Sequence, residues 1–170
     1  MAEAEERGND LIDYKKKAEA ITDTLNEMVR SINVFSRSYF NNDIIAQKIY
    51  VEGIRYGIKQ SRLEIPEAKT PMEACETYIS ILETVGLMAS KQFELVKHND
   101  TISCTVYPPC MYAAACSHTK EENISPTCLR GLVFHVFIKD STGKDFAVRV
   151  TEFNPDKGCL IEIRPVISED

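Results

Sequence analysis

The chain has 170 residues, the length of one ordinary domain, and its 44% apolar and 27% charged residues form a globular mix that excludes disorder and fibrous repeats. Twenty basic residues against 26 acidic ones leave a formal charge of −6, which argues against a chain whose main work is coating phosphate. The acidic, polar start is unlike a secretory signal, and no apolar run reaches the ~18 residues of a membrane span. The expectation is therefore a cytoplasmic domain with neither nucleic acid nor membrane as partner.

Helical signals fill the first half. Leu11, Tyr14, Ala18, Ile21, Leu25, Met28 and Ile32 recur at steps of three and four, which predicts an amphipathic helix from about Asn9 to Ser31. Its short basic run, Lys15 to Lys17, reads as a solvated face. Asn41, Asn42 or Asp43 can cap a second helix carrying Ile44, Ile45, Ile49, Ile54 and Ile58. Gly53 and Gly57 on that helix suit a close helix crossing. Thr70-Pro71-Met72-Glu73 is a capping box with proline at the first helical position. The helix it opens carries Met72, Cys75, Ile79, Leu82 and Val85 and should end near Gly86. Cys75 lies on that stripe and reads as a core residue.

After Gln92 the period changes to two. Residues 93–98 and 101–107 read as strands joined by a tight turn at Asn99-Asp100. Strand pattern resumes at Leu132 to Ile138, at Asp145 to Thr151 and at Cys159 to Arg164, with turns at Ser141-Thr142-Gly143 and Asn154 to Gly158. The expected fold is α+β, with N-terminal amphipathic helices packed on one face of a C-terminal antiparallel sheet of about five strands. One domain spans residues 1–170, with a helical part over 1–91, the sheet over 92–165 and a cysteine-rich insertion at 108–128.

Six cysteines are many for a reducing compartment, and Cys104, Cys110, Cys116 and Cys128 lie within 25 residues. Such clustering points to metal binding or thiol redox chemistry before structural disulfides. Zinc and iron–sulfur clusters are both held by thiolates, because a soft metal binds soft, deprotonated sulfur. The spacing Cys104-x5-Cys110-x5-Cys116-x11-Cys128 contains no CxxC pair, so convergence would have to come from a strand end, a helix start and a returning loop. Cys104 shares a strand face with Ile102 and Val106 and can equally point into the core. Pro108-Pro109 can start a helix with Cys110 in its first turn, where free backbone N–H groups stabilise a thiolate. On one ideal helix Cys116 would then lie about 120° away from Cys110. Cys128 precedes a strand, a good place for a loop ligand, and Cys159 is buried or a further contact. His118 is a further candidate ligand, while His98 lies beside a turn and His135 suits a hydrogen-bonded structural role.

No glycine-rich phosphate loop, HExxH, GxSxG or Rossmann fingerprint is present, so an enzyme is not the favoured expectation. A Cys110–His118 nucleophile–base couple lacks an orienting third group.

The arrangement of helices, a hairpin, the insertion around Tyr107-Pro-Pro-Cys-Met-Tyr-Ala-Ala-Ala-Cys116 and closing strands resembles the cysteine-containing output or sensory domains of methanogenic archaea. Over residues 70–165 it is also loosely similar to 4-vinyl-reductase-like ligand-binding domains, whose cysteines are placed differently. The resemblance implies sensing of a small ligand, a metal or redox state. Isoleucine outnumbers leucine 17 to 9, in keeping with an archaeal or AT-rich genome. The functional expectation is a sensory or regulatory domain that binds zinc or an iron–sulfur cluster through Cys104, Cys110, Cys116 and Cys128. Its alternative is a small-molecule-binding module or cysteine-dependent redox protein using the same insertion. The expected partners are a small-molecule ligand or signalling protein, and any homodimer should form through the N-terminal helices.

Overall fold

The computed structural model describes residues 2–40, 43–86 and 88–166, and their side chains outside residues 2–14 and 43. Five helices and four strands follow in the order α1 (Ala2–Phe40), α2 (Asp43–Gln60), α3 (Pro71–Thr84), β1 (Phe93–His98), β2 (Thr101–Val106), α4 (Ala113–Glu121), α5 (Leu129–Thr142), β3 (Phe146–Glu152) and β4 (Cys159–Pro165). The fold is α+β, and the strands form one antiparallel sheet in the order β1-β2-β4-β3.

Local chemistry explains several boundaries. At the start of α3 the Thr70 hydroxyl accepts from the Glu73 N–H at 3.1 Å. The Glu73 carboxylate reaches back one residue further than a capping box requires, to the Lys69 N–H at 2.8 Å. Gly86, in the left-handed region (φ 71°), follows the end of this helix. Asn99 supplies a left-handed residue (φ 53°) to the β1–β2 turn. In the β3–β4 turn the Asn154 side chain accepts from the N–H groups of Asp156 (3.2 Å) and Lys157 (3.0 Å). The expected cap of α2 at Asn41-Asn42 lies outside the described residues.

The strand expected at Leu132 to Ile138 is instead the middle of α5, which is why the sheet has four strands and not five. Phe134, Val136, Phe137 and Ile138 are all buried. The helix lies between the sheet and the helices α2 and α3, so apolar residues face inward on most sides and no 3.6-residue stripe is visible. A short apolar run rich in valine and phenylalanine does not distinguish a buried strand from a buried helix. Gly143, expected in a hairpin turn, is the left-handed C-terminal cap of α5 (φ 73°), its N–H donating to the Lys139 carbonyl at 2.9 Å.

Ile102, Cys104 and Val106 from β2, Ile161 and Ile163 from β4, and Phe146 and Val148 from β3 form the sheet's inner face. Gly131 lets the first turn of α5 approach that face. A Cβ there would sit 2.6 Å from Val148 Cγ1 and 3.3 Å from Ile161 Cγ2. Tyr78 and Phe93 meet Phe134 edge to face, with ring centroids 5.0 and 5.9 Å apart.

Two helical expectations are corrected. Gly53 and Gly57 do not mark a close crossing, since nothing lies within 4 Å of a Cβ built at either. Of the apolar stripe of α1, among the residues whose side chains are described, Ile32 packs against the core but most of the rest does not. Asn26, Val29, Asn33 and Ser36 do, while Ile21 (61% exposed), Met28 (57%) and Tyr39 (76%) stand in solvent. Specific hydrogen bonds tie this face to the fold: the Tyr50 hydroxyl of α2 donates to the Val29 carbonyl at 2.8 Å, and Asn26 bonds to the segment before α4, whereas Asn33 Nδ2 and Ser36 Oγ are buried without a partner. Among the described residues no helix is long and apolar enough to cross a membrane.

Candidate functional site

At the end of the sheet where Val106 of β2 pairs with Cys159 of β4, the inner face is not covered by α2 or α3. It is roofed by the segment 108–128. Pro108, Cys110, Tyr112 and Cys116 from that roof, Cys128 and Arg130 from the start of α5, and Cys159 with Phe153 from the sheet side line one pocket. Its free space is about 30 Å³, room for roughly one water molecule. A larger open cleft of about 680 Å³ lies at the other end of the sheet. Its lysines Lys69, Lys97 and Lys144 are interspersed with Asp100 and Asp145, and Asp145 already accepts from Lys139 at 2.6 Å, so it presents no unmet buried charge.

Cys110 lies outside the helix expected to begin there. That helix, α4, starts at Ala113, and the Cys110 carbonyl accepts from the Ala113 N–H at 3.0 Å in the turn before it. Because only Cys116 is helical, the 120° separation of an ideal helix does not apply, and both residues reach the pocket. The position argued for Cys110 belongs to Cys128. Cys128 is the N-cap of α5, and its sulfur accepts from the Gly131 N–H at 3.4 Å. Burial pushes its thiol up to about 11, a rise that the Gly131 N–H and the nearby Arg130 charge partly offset.

Burial also raises Cys116 and, to a smaller extent, Cys159. The thiols feel one another, since a charge on Cys110 or Cys159 raises both Cys116 and Cys128 further. Cys104 is fully buried on the inner face of β2 among core residues and does not line the pocket; burial holds its thiol far above the ordinary value. Cys75 is core as expected, pushed up to about 12. His118 is exposed on α4, and His98 is exposed at the hairpin. His135 lies on α5 and donates from Nδ1 to the Phe146 carbonyl at 2.5 Å, the structural role expected of it. Among the described residues no three histidine, cysteine or carboxylate side chains are set to hold a metal ion.

Arg130 is the residue that the pattern of the sequence concealed. It is 7% exposed, its Nε and Nη1 have no hydrogen-bond partner, and its guanidinium lies 5.9 Å from the centroid of the Phe93 ring. Read as a strand edge, Arg130 would point to water. Read as the second residue of a helix, it has Pro126, Thr127, Val133 and Phe134 three and four positions away, none of them a carboxylate.

The roof is held from outside by α1. The Asn26 amide donates to the Met111 carbonyl at 2.8 Å and its oxygen accepts from the Ala115 N–H at 3.0 Å. Arg30 bridges Glu27 of α1, at 2.7 Å, and Glu122 at the end of α4. The pocket roof and the N-terminal helix are therefore one hydrogen-bonded assembly. No protein-family model and no curated protein matches this chain.

Proposed function

We propose that this chain is a cytoplasmic, non-enzymatic sensory or regulatory module, as its resemblance to methanogen sensory domains implies, with the cysteine-lined pocket as its input site. The observation that carries the reading is the convergence of Cys110, Cys116, Cys128 and Cys159, from a roof segment, a helix, a helix cap and a strand, on one pocket whose roof is bonded to α1. An occupant that displaces the roof shifts α4, and α4 carries the displacement to α1 through Asn26 and Arg30.

A soft metal is the first occupant. The donor set is all thiol, which suits zinc or an iron–sulfur cluster, with Cys159 taking the place expected of Cys104. Ligation deprotonates the raised thiols, draws the roof down and couples metal binding to ordering of residues 108–128. Metal analysis and a visible spectrum of anaerobically purified protein test this. Stoichiometric zinc, or a broad visible band with iron, is the expected result, and metal-free protein that stays folded rejects it. The second occupant is a small organic molecule, favoured by the apolar lining from Val106, Leu129, Val150 and Phe153 and by the buried Arg130.

The signalling partner is a second copy of the chain. Ile21, Leu25, Met28, Phe35 and Tyr39 stand exposed along α1 at steps of three, four and seven, the spacing of a two-helix coiled-coil seam, while Ile32 between them packs on the chain's own core. Light scattering should give a dimer, and Met28→Glu with Phe35→Glu a monomer. A monomeric parent protein rejects this partner.

A further inference from the structure

We propose that Arg130 is the recognition group for the anionic head of an apolar small molecule, and that the head is a carboxylate; this rests on the small-molecule reading of the pocket. A guanidinium is permanently charged, and this one is 93% removed from water with two donor nitrogens lacking acceptors. Among the described residues no carboxylate pairs with it. Natural structures seldom keep such a group unless something absent from the chain completes it.

The surroundings define what completes it. Arg130 is the one charged side chain among the pocket-lining residues, so it neutralises a single negative charge. A phosphate dianion would carry a second charge into an apolar enclosure, whereas a carboxylate brings one charge and several acceptor lone pairs to the planar donor array. The start of α5 adds the positive end of its dipole on the same side. Val106, Pro108, Leu129, Val150, Phe153 and Pro155 then suit an alkyl or aryl body. The free space of about 30 Å³ is too small for that body, so its entry displaces the roof that Asn26 ties to α1. Anion recognition and the signal to α1 thus share one movement.

The test uses metal-stripped full-length protein and sodium salts of butanoic, hexanoic, octanoic and benzoic acids. Each is paired with its alcohol, and inorganic phosphate serves as a control. Binding is read by calorimetry and thermal shift. At least one carboxylate should bind at least ten-fold more tightly than its alcohol, with phosphate showing no saturable binding. Arg130→Met should erase that ten-fold preference while leaving the unliganded protein at least as thermostable as the parent, because the substitution removes a buried charge that has no carboxylate partner and only the Phe93 ring to offset it. Arg130→Lys, which keeps the charge without the planar fork, should retain a weakened preference. Failure of every carboxylate to bind, a lower Tm or misfolding of Arg130→Met, or preference for phosphate each overturns the proposal. Equal binding of acid and alcohol overturns the anionic head alone and leaves the small-molecule reading standing. Binding of neither, with metal present in the protein as purified, removes both.

Discussion

Replacing Asn26 with alanine should loosen the pocket roof while leaving the sheet intact. The substitution removes a donor to the Met111 carbonyl and an acceptor for the Ala115 N–H, at 2.8 and 3.0 Å. Ala115 is 1% exposed, so its N–H is left without an acceptor and without ready access to water. Two lost bonds contribute about 1 kcal/mol each, and the stranded N–H adds about 1–3 kcal/mol, giving roughly 3–5 kcal/mol in total. The third bond, from Asn26 to the Thr22 carbonyl within α1, adds little because that carbonyl keeps its helical partner. Urea unfolding measures the global loss, and alkylation of Cys116, the residue after Ala115, measures the local one. If α4 opens separately, the two lost bonds alone, about 2 kcal/mol, correspond to about a thirty-fold faster reaction at Cys116. A change in stability below about 1 kcal/mol together with unaltered Cys116 labelling would refute the account of Asn26 as the tie between α1 and the roof.

Gly131→Ala should destabilise the fold by about 1–3 kcal/mol in urea, because the close approach of α5 to Val148 and Ile161 outweighs the better helix propensity of alanine; a neutral or stabilising result would show that the sheet yields. Stability should hold below about pH 8.5 and fall as pH rises towards 11–12, since unfolded thiols ionise near their ordinary value while Cys128 and Cys75 in the fold are pushed up to about 11 and about 12. Both groups are raised, so their contribution is complete below the unfolded pKa and is lost through the folded one; a flat denaturation profile from pH 8 to 10.5 contradicts this. In protein carrying metal, Cys159→Ser should lower the bound metal whereas Cys104→Val should leave it unchanged, and metal analysis of the two variants gives the opposite ranking if Cys104 is a ligand.

The residues that cap and punctuate this chain act over three or four positions, so the sequence alone determines them. Thr70 and Glu73 open α3, Asn99 turns the first hairpin, and Asn154 with Gly158 turns the second. Alternation along β2 and β4 likewise specifies which side chains face inward, because successive strand residues point to opposite sides of the sheet. These features suffice for an α+β fold with an antiparallel sheet, and they assign Cys75 to the core. Tertiary structure alone decides where a segment's partners lie on several sides at once. Residues 132–138 form a helix because neighbours on most sides bury them, which removes the periodic signal that would identify them. The face of α1 that meets the fold carries Asn26 and the Val29 carbonyl because α4 and Tyr50 bond to them there, leaving Ile21, Met28, Phe35 and Tyr39 exposed. The pocket follows the same rule. Cys159, 31 positions after Cys128, joins it through the pairing of β4 with β2, whereas Cys104, the earliest cysteine of the sequence cluster, is directed into the core by its place on the inner face of β2. Spacing in the chain fixes how far apart two sulfur atoms can be; the sheet register and the start of α5 decide which of them share a cavity with Arg130.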